Sequence, residues 1–311
     1  MKLQSSAQFI PTPENVSLLI AVYGLEFTSF EQADSGIENC TLFVQTISGK
    51  FVLRVYRQLR KSDAEIQLEL DFVNYLGGND IPVALPLQKP DGGFIAHLKQ
   101  NGDIWQAILM QYMSGEHPKT YTSELLAQLA IMQAKMHLLA SSFPASNISR
   151  LTTLRESQFI KLLHAREKLE PRCQAFVTRA EAFSISLDAS LPHGLCHLDF
   201  DSGNILVKNS EVTAVLDFDD LALAPYVVCL AYTLWDVAYD VGLSGVNSYL
   251  EIYENLRPLT LSERDIIATI MLFRHYAIGC KDVADGLMDE TLLAKYLELE
   301  EAIQKYSFLL H

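Results

Sequence analysis

The sequence predicts an α+β fold in two lobes: a small antiparallel β lobe with one helix over residues 1–112, then a larger, mainly helical lobe over 113–311. Three observations carry that prediction. Between about 40 and 112, short apolar runs alternate with turn signals, the mark of strands. After Gly115 the apolar spacing changes to three and four residues, the mark of helices packed on one face. Inside that helical text one stretch, "NILVKNSEVTAVLDF", reads as strand, turn at Lys208-Asn209-Ser210, and strand.

In the first lobe, "CTLFVQTISGKFVLRVYR" holds two strands around Ser48-Gly49-Lys50. "DAEIQLELDFVNYLGG" follows with Ile66, Leu70, Val73 and Leu76 on one helical stripe and a stop at Gly77-Gly78. "FIAHL" and "IWQAILMQY" supply two more strands, with turns at Asp91-Gly92-Gly93 and Asn101-Gly102. In the second lobe, "SELLAQLAIMQAKMHLLA" aligns Leu125, Leu129, Met132, Met136 and Leu139, with Thr122 as N-cap. Further helices are expected near 152–170, 172–187, 224–241, 246–256, 262–284 and 290–306.

Charge and cysteine usage narrow the functions. Lys and Arg total 24 against 38 Asp and Glu, a formal charge of −14 that repels a polyphosphate backbone, so no nucleic-acid partner is expected. Cys40, Cys173, Cys196, Cys229 and Cys280 form no CxxC pair, which fits free thiols in a reducing cytoplasm. "MKLQSSAQFIPTPEN" lacks an apolar leader core, and the longest apolar run, "VVCLAYTLW", stops at Asp236, so no membrane partner is expected either.

The chemistry gathers at "HLDFDSGN" and "VLDFDD". Asp199 and Asn204 precede the first strand of the hairpin and Asp217 ends the second, so the turn returns Asp217 towards Asn204. Hard oxygen donors of this kind suit Mg2+, while Asp199 stands aside as a proton acceptor or as the group that orients the nucleophile. Asp201 reads as a solvated loop residue. A rival reading takes His193 and His197, four residues apart, as zinc ligands, although Pro192 and Gly194 argue against a helix there.

His-x-Asp-x4-Asn followed by an apolar strand into Asp-Phe resembles the protein-kinase-like phosphotransferases, in particular the aminoglycoside phosphotransferase and choline kinase family. The resemblance covers most of the chain and implies a two-lobed kinase-like fold. It implies Asp199 as catalytic base, Asn204 and Asp217 as Mg2+ ligands, and ATP, or GTP, as co-substrate. It further implies Arg54, where the family has Lys, as the cation for the phosphates. Glu69 would hold that cation, with Glu65 as competitor. Ser35-Gly36 would form a short phosphate loop. Val52, Leu206 and Leu216 would line the slot for the base, near a hinge at Met110 to Met113. His197 would brace the catalytic loop. One departure stands out: where the family has an acid that supports that loop, this chain reads Cys229-Leu230-Ala231.

The acceptor is expected to be a small-molecule hydroxyl: an aminoglycoside, an amino alcohol, a hydroxy amino acid or a sugar. Asp219, Asp220, Asp236, Asp240, Glu251 and Glu254, interleaved with Tyr232, Trp235, Tyr239 and Tyr253, suit a cationic one. No activation segment ending in Ala-Pro-Glu follows Asp217, which argues against a protein substrate. The alternative is a nucleotide-binding regulatory protein without useful transfer activity.

Overall fold

A computed structural model describes residues 9–33, 39–58, 60–144, 150–155 and 169–306. They divide into two compact units: residues up to Glu116 with Thr213–Leu216, and His117–Val212 with the chain from Asp217 onward.

The first unit is built on an antiparallel sheet of β1 (Phe27–Gln32), β2 (Cys40–Thr46), β3 (Gly49–Val55), β4 (Ala96–Gln100) and β5 (Asp103–Gln111), in the order β1-β2-β3-β5-β4. The β2–β3 turn is closed by the Thr46–Gly49 pair, and Gly49 takes φ +135°, which a side chain would strain. Alternation then sorts the sheet's two faces. Leu42, Val44, Leu53, Val55, Ala107 and Leu109 face a short helix α1 (Pro13–Ala21), which contributes Val16, Leu19 and Ile20. Tyr56 and Ile108 pack with Ile66 and Leu70 of α2 (Asp63–Gly77).

The lobe therefore has a second helix and a further strand beyond those the sequence predicts. At nine residues, α1 is too short for its periodicity to register, although Thr12 caps Asn15 N–H and Pro13 occupies the first turn. The strand expected at "FIAHL" begins only at Ala96. Thr213–Leu216 joins this unit through Val215, whose N–H donates to Pro82 O at 2.7 Å.

The second unit contains α3 (Ser123–Ala140), α4 (Gln174–Glu181), α5 (Tyr226–Leu256), α6 (Leu261–Asp285) and α7 (Glu290–Tyr306). Three two-stranded pieces interrupt them: β6 (Thr153–Arg155) with β7 (Ser184–Ser186), β8 (His193–Cys196) with β11 (Ala222–Pro225), and the ribbon β9 (Ile205–Lys208) with β10 (Glu211–Val215), whose residues from Thr213 on are counted with the first unit. Thr122 caps α3 through Leu125 N–H as expected, and Asn209 and Ser210 turn the ribbon with φ of 53° and 65°.

Several predicted helices change. The helix expected near 152–170 lies mostly outside the described residues, and at 153–155 the chain is a strand, paired with Ser184–Ser186, which itself lay in the helix expected over 172–187. Both pieces are three residues long, below what alternation can reveal. The helices expected at 224–241 and 246–256 form one element, broken at Gly242, where φ is 76° and ψ −177°. A Cβ there would meet open space, so backbone conformation alone explains the glycine. α5 is long and apolar enough to cross a membrane, yet more than half of its most apolar window is buried inside the fold.

Candidate active site

The β8–β11 pair places Cys196 opposite Ala222. Everything between them is one closed excursion, so Asp199 lies three residues and Asp217 five residues from a shared base. The sequence attributes their convergence to the ribbon turn; the strand pair at the base adds a second constraint. Backbone strain marks both approaches: Leu198 has φ 38° and Asp217 φ 60°, left-handed values that cost a non-glycine residue roughly 1–2 kcal/mol.

Within the loop, Asp199 is held from both sides. Its Oδ2 accepts from Asn204 Nδ2 at 3.0 Å, and its Oδ1 from Arg274 Nη2 at 3.0 Å. The Asn204 amide also donates to Asp199 O at 2.9 Å. That leaves Asn204 Oδ1 with no hydrogen bond among the described residues. With exposed Asp217 it offers the hard, anionic oxygen set that Mg2+ requires, so the residues fit that ion. His197 is buried, edge-on to Phe218 at 4.6 Å, and its Nδ1 accepts from Asp199 N–H at 3.3 Å. Since His193 opens a strand rather than a helical turn, the four-residue spacing does not stack the two rings on one helical face, and the zinc reading lapses.

Asp201 is not the solvated residue the sequence suggests. Half-buried, it caps the turn Ser202–Asn204 by accepting Gly203 N–H at 2.8 Å. Burial, then the charges of Asp199 and Asp236, push its carboxyl up to about 7 against the pull of Arg274. Asp236 is likewise raised by burial, and it accepts the Tyr121 hydroxyl. Asp240, one turn on, takes Thr120 Oγ1 at 2.7 Å and Tyr121 N–H at 2.8 Å. The guanidinium of Arg274 lies 4.9 Å over the Tyr232 ring.

Other acids and aromatics expected near the acceptor go elsewhere. Glu254 pairs with Arg264 at 2.5 Å, Tyr253 is buried against His137 at 2.7 Å, and Trp235 donates to His275 at 3.3 Å. Asp219 is buried, whereas Asp220 and Glu251 are exposed. Tyr121 and Arg274, which the sequence reading omits, are central here. Arg274 does leave a signal, a lone charge in the apolar run "IMLFRHYAIGC".

The first unit carries its own charged cluster. Glu69, almost fully buried, contacts Arg54 at 3.5 Å and Lys61 at 2.6 Å, and accepts the Tyr56 hydroxyl at 3.2 Å. Glu65 is occupied otherwise: with Ser62 it forms the capping box of α2. Val52 pairs with Met110 across β3 and β5, on the face that carries Arg54. Ser35 and Gly36 lie outside the described residues. Leu216 belongs to the first unit, Leu206 to the second.

A carboxylate held in place, an amide oxygen left for a hard cation and a nearby acid at Asp217 are what transfer of a phosphoryl group to a hydroxyl asks for. The sequence matches the phosphotransferase enzyme family (APH) over residues 29–261. The chain belongs to that family. This phosphotransferase is similar to homoserine kinases: it is 26% identical over 249 residues to that of Neisseria meningitidis, covering 78% of this chain and 79% of the relative. To that of Methylobacillus glycogenes it is 28% identical over 258 residues, covering 76% and 74%. Among solved structures, an amicoumacin kinase in complex with AMP-PNP and Ca2+ shares its fold with a TM-score of 0.69 at 16% identity over 95% and 94% of the two chains. A microcompartment-associated aminopropanol kinase does so with a TM-score of 0.65 at 18% identity over 93% and 94%. The phosphotransferase is thus a kinase-like small-molecule kinase with an alcohol group as acceptor and ATP as co-substrate.

Proposed function

We propose that this phosphotransferase moves the γ-phosphate of ATP, or of GTP, to the hydroxyl of a small acceptor that carries an ammonium group, with Asp199 as the base. The observation that carries the reading is Asp199 itself, fixed through both oxygens beside Asp201 and Asp236. In the step, the acceptor oxygen attacks the γ-phosphorus as its proton passes to Asp199, and ADP leaves with the bridging oxygen. Asn204 and Asp217 supply oxygen donors for Mg2+, which when bound neutralises phosphate charge. Arg54, held by Glu69, answers the phosphates, with Ser35 and Gly36 as backbone donors and Val52, Leu206 and Leu216 against the base.

Acceptor choice follows from charge. Asp240, with Asp201 and Asp236, whose raised carboxyls would give up their protons more readily beside a cation, favours an ammonium group over a neutral sugar. The guanidinium in turn suits a carboxylate. A hydroxy amino acid meets both demands better than an aminoglycoside or an amino alcohol, and the homoserine kinases among the relatives support it. The free thiols, four of them buried, fit a cytoplasmic setting.

The test is an ADP-release screen over hydroxy amino acids, amino alcohols, aminoglycosides and sugars, run on the wild type and on Asp199→Asn. Acceptor-dependent release that falls about 10³-fold in the variant, with Mg-nucleotide binding kept, is the expected result. Turnover that survives the substitution removes Asp199 as base. Nucleotide binding with no turnover on any acceptor favours a regulatory nucleotide-binding role, for which Cys229 is the motivating departure.

A further inference from the structure

Helix α5 passes under the catalytic loop with Cys229, not an acid, at the position the family uses for support. Cys229 Sγ meets Gln133 Nε2 at 3.4 Å. One turn further along the same helix, the Thr233 hydroxyl donates to the carbonyl of Phe200 at 2.9 Å. Phe200 stands between Asp199 and Asp201, so its carbonyl fixes the Phe200–Asp201 peptide plane, directly after Asp199.

Three buried hydrogen bonds of the same length lie in series. The Tyr249 hydroxyl donates to Gln133 Oε1, Gln133 Nε2 donates to Thr233 Oγ1, and Thr233 donates to Phe200 O, each at 2.9 Å. Gln133, Thr233 and Tyr249 are all essentially inaccessible to solvent. The direction of the chain follows from proton counting. Thr233 has one proton and two candidate acceptors, Phe200 O at 2.9 Å and its own helix's Cys229 O at 3.3 Å. Gln133 Nε2 also approaches Cys229 O at 3.4 Å. The amide therefore serves Cys229 with its second proton, while its first occupies the Thr233 lone pair and leaves the hydroxyl proton for the loop. A flipped amide would set its oxygen against the Cys229 carbonyl, an acceptor facing an acceptor, and would draw the Thr233 proton away from Phe200.

We infer that Thr233, oriented by Gln133 and Tyr249, is the positioning residue of the catalytic loop, supporting Asp199 from one turn beyond the position where the family places an acid. This inference rests on Asp199 as the base, and its test includes a readout that does not depend on turnover. Full-length wild type, Thr233→Val and Thr233→Ser are compared for kcat, acceptor KM, Mg-nucleotide Kd and backbone hydrogen exchange across residues 197–204. Valine keeps the volume and removes the proton; serine keeps the proton. The expected result is a kcat lower by about tenfold or more in Thr233→Val, with KM and Kd within about twofold, together with faster exchange confined to 197–204. Thr233→Ser should restore both. Unchanged kcat and exchange in the valine variant overturn the inference. So does a serine variant as impaired as valine, since the methyl contact and not the proton would then matter. If the wild type turns over no acceptor, the phosphotransfer reading fails by itself, and the exchange comparison still decides whether Thr233 holds the loop.

Discussion

The two units build their charged clusters to opposite plans. In the first, one buried acid, Glu69, sits between two cations, Arg54 and Lys61. In the second, one cation, Arg274, faces Asp199, Asp201 and Asp236. On the function proposed above, the first arrangement would meet phosphate and the second an ammonium group. The two clusters differ in make-up although the chain as a whole carries −14.

Removing the minority charge from each cluster is the direct way to break that contrast. Glu69→Gln removes the buried carboxylate that Arg54 and Lys61 share and should cost about 3 kcal/mol in denaturant unfolding, with weaker Mg-nucleotide binding. A loss below about 1 kcal/mol would mean that the cations reach water and that Glu69 holds neither.

His275 sharpens the comparison by showing burial without a compensating acid strong enough to charge it. Buried and accepting the Trp235 N–H, it is pushed down to about 4, chiefly by desolvation. The folded protein thus binds that proton less tightly than the unfolded chain. Stability is full above pH 6.5 and should fall by about 2 kcal/mol between pH 6.5 and 5. His275→Gln should flatten this part of the unfolding profile; an unchanged slope would place the titration elsewhere.

In the second unit, Arg274→Met is expected to raise acceptor KM by about tenfold while nucleotide affinity stays put. Equal loss across acceptors with and without a carboxylate would turn Arg274 into a support for Asp199 alone. Smallest of all should be Glu65→Ala. It removes only the capping box of α2, about 1 kcal/mol, and spares activity. Activity loss comparable to that of Glu69→Gln would reverse the assignment between the two glutamates.

What the sequence made legible is what lies close along the chain. Asp199 and Asn204 are five residues apart in one loop, and Glu69 follows from counting back along α2. The partners of these residues come from far away. Arg274 reaches Asp199 from 75 residues on, and Tyr121 reaches Asp236 across 115. No periodicity encodes such meetings. Asp201 was misjudged because a loop aspartate looks solvated until its neighbours are known. Short pieces failed for a different reason: three-residue strands such as Thr153–Arg155 carry too few positions for alternation to rise above chance.

The break at Gly242 changes how the acids of α5 should be viewed. A residue with φ 76° interrupts the helical ladder, so the stretch from Tyr226 to Val241 ends there as a helix terminus, with outward carbonyls carrying about half a negative charge. Helices commonly close such an end with a basic side chain. This one has Asp236 and Asp240 instead, which deepens the negative potential. An acceptor's ammonium settling against those acids would stand where a lysine cap normally belongs, so that binding the substrate would finish a secondary-structure element the polypeptide leaves incomplete.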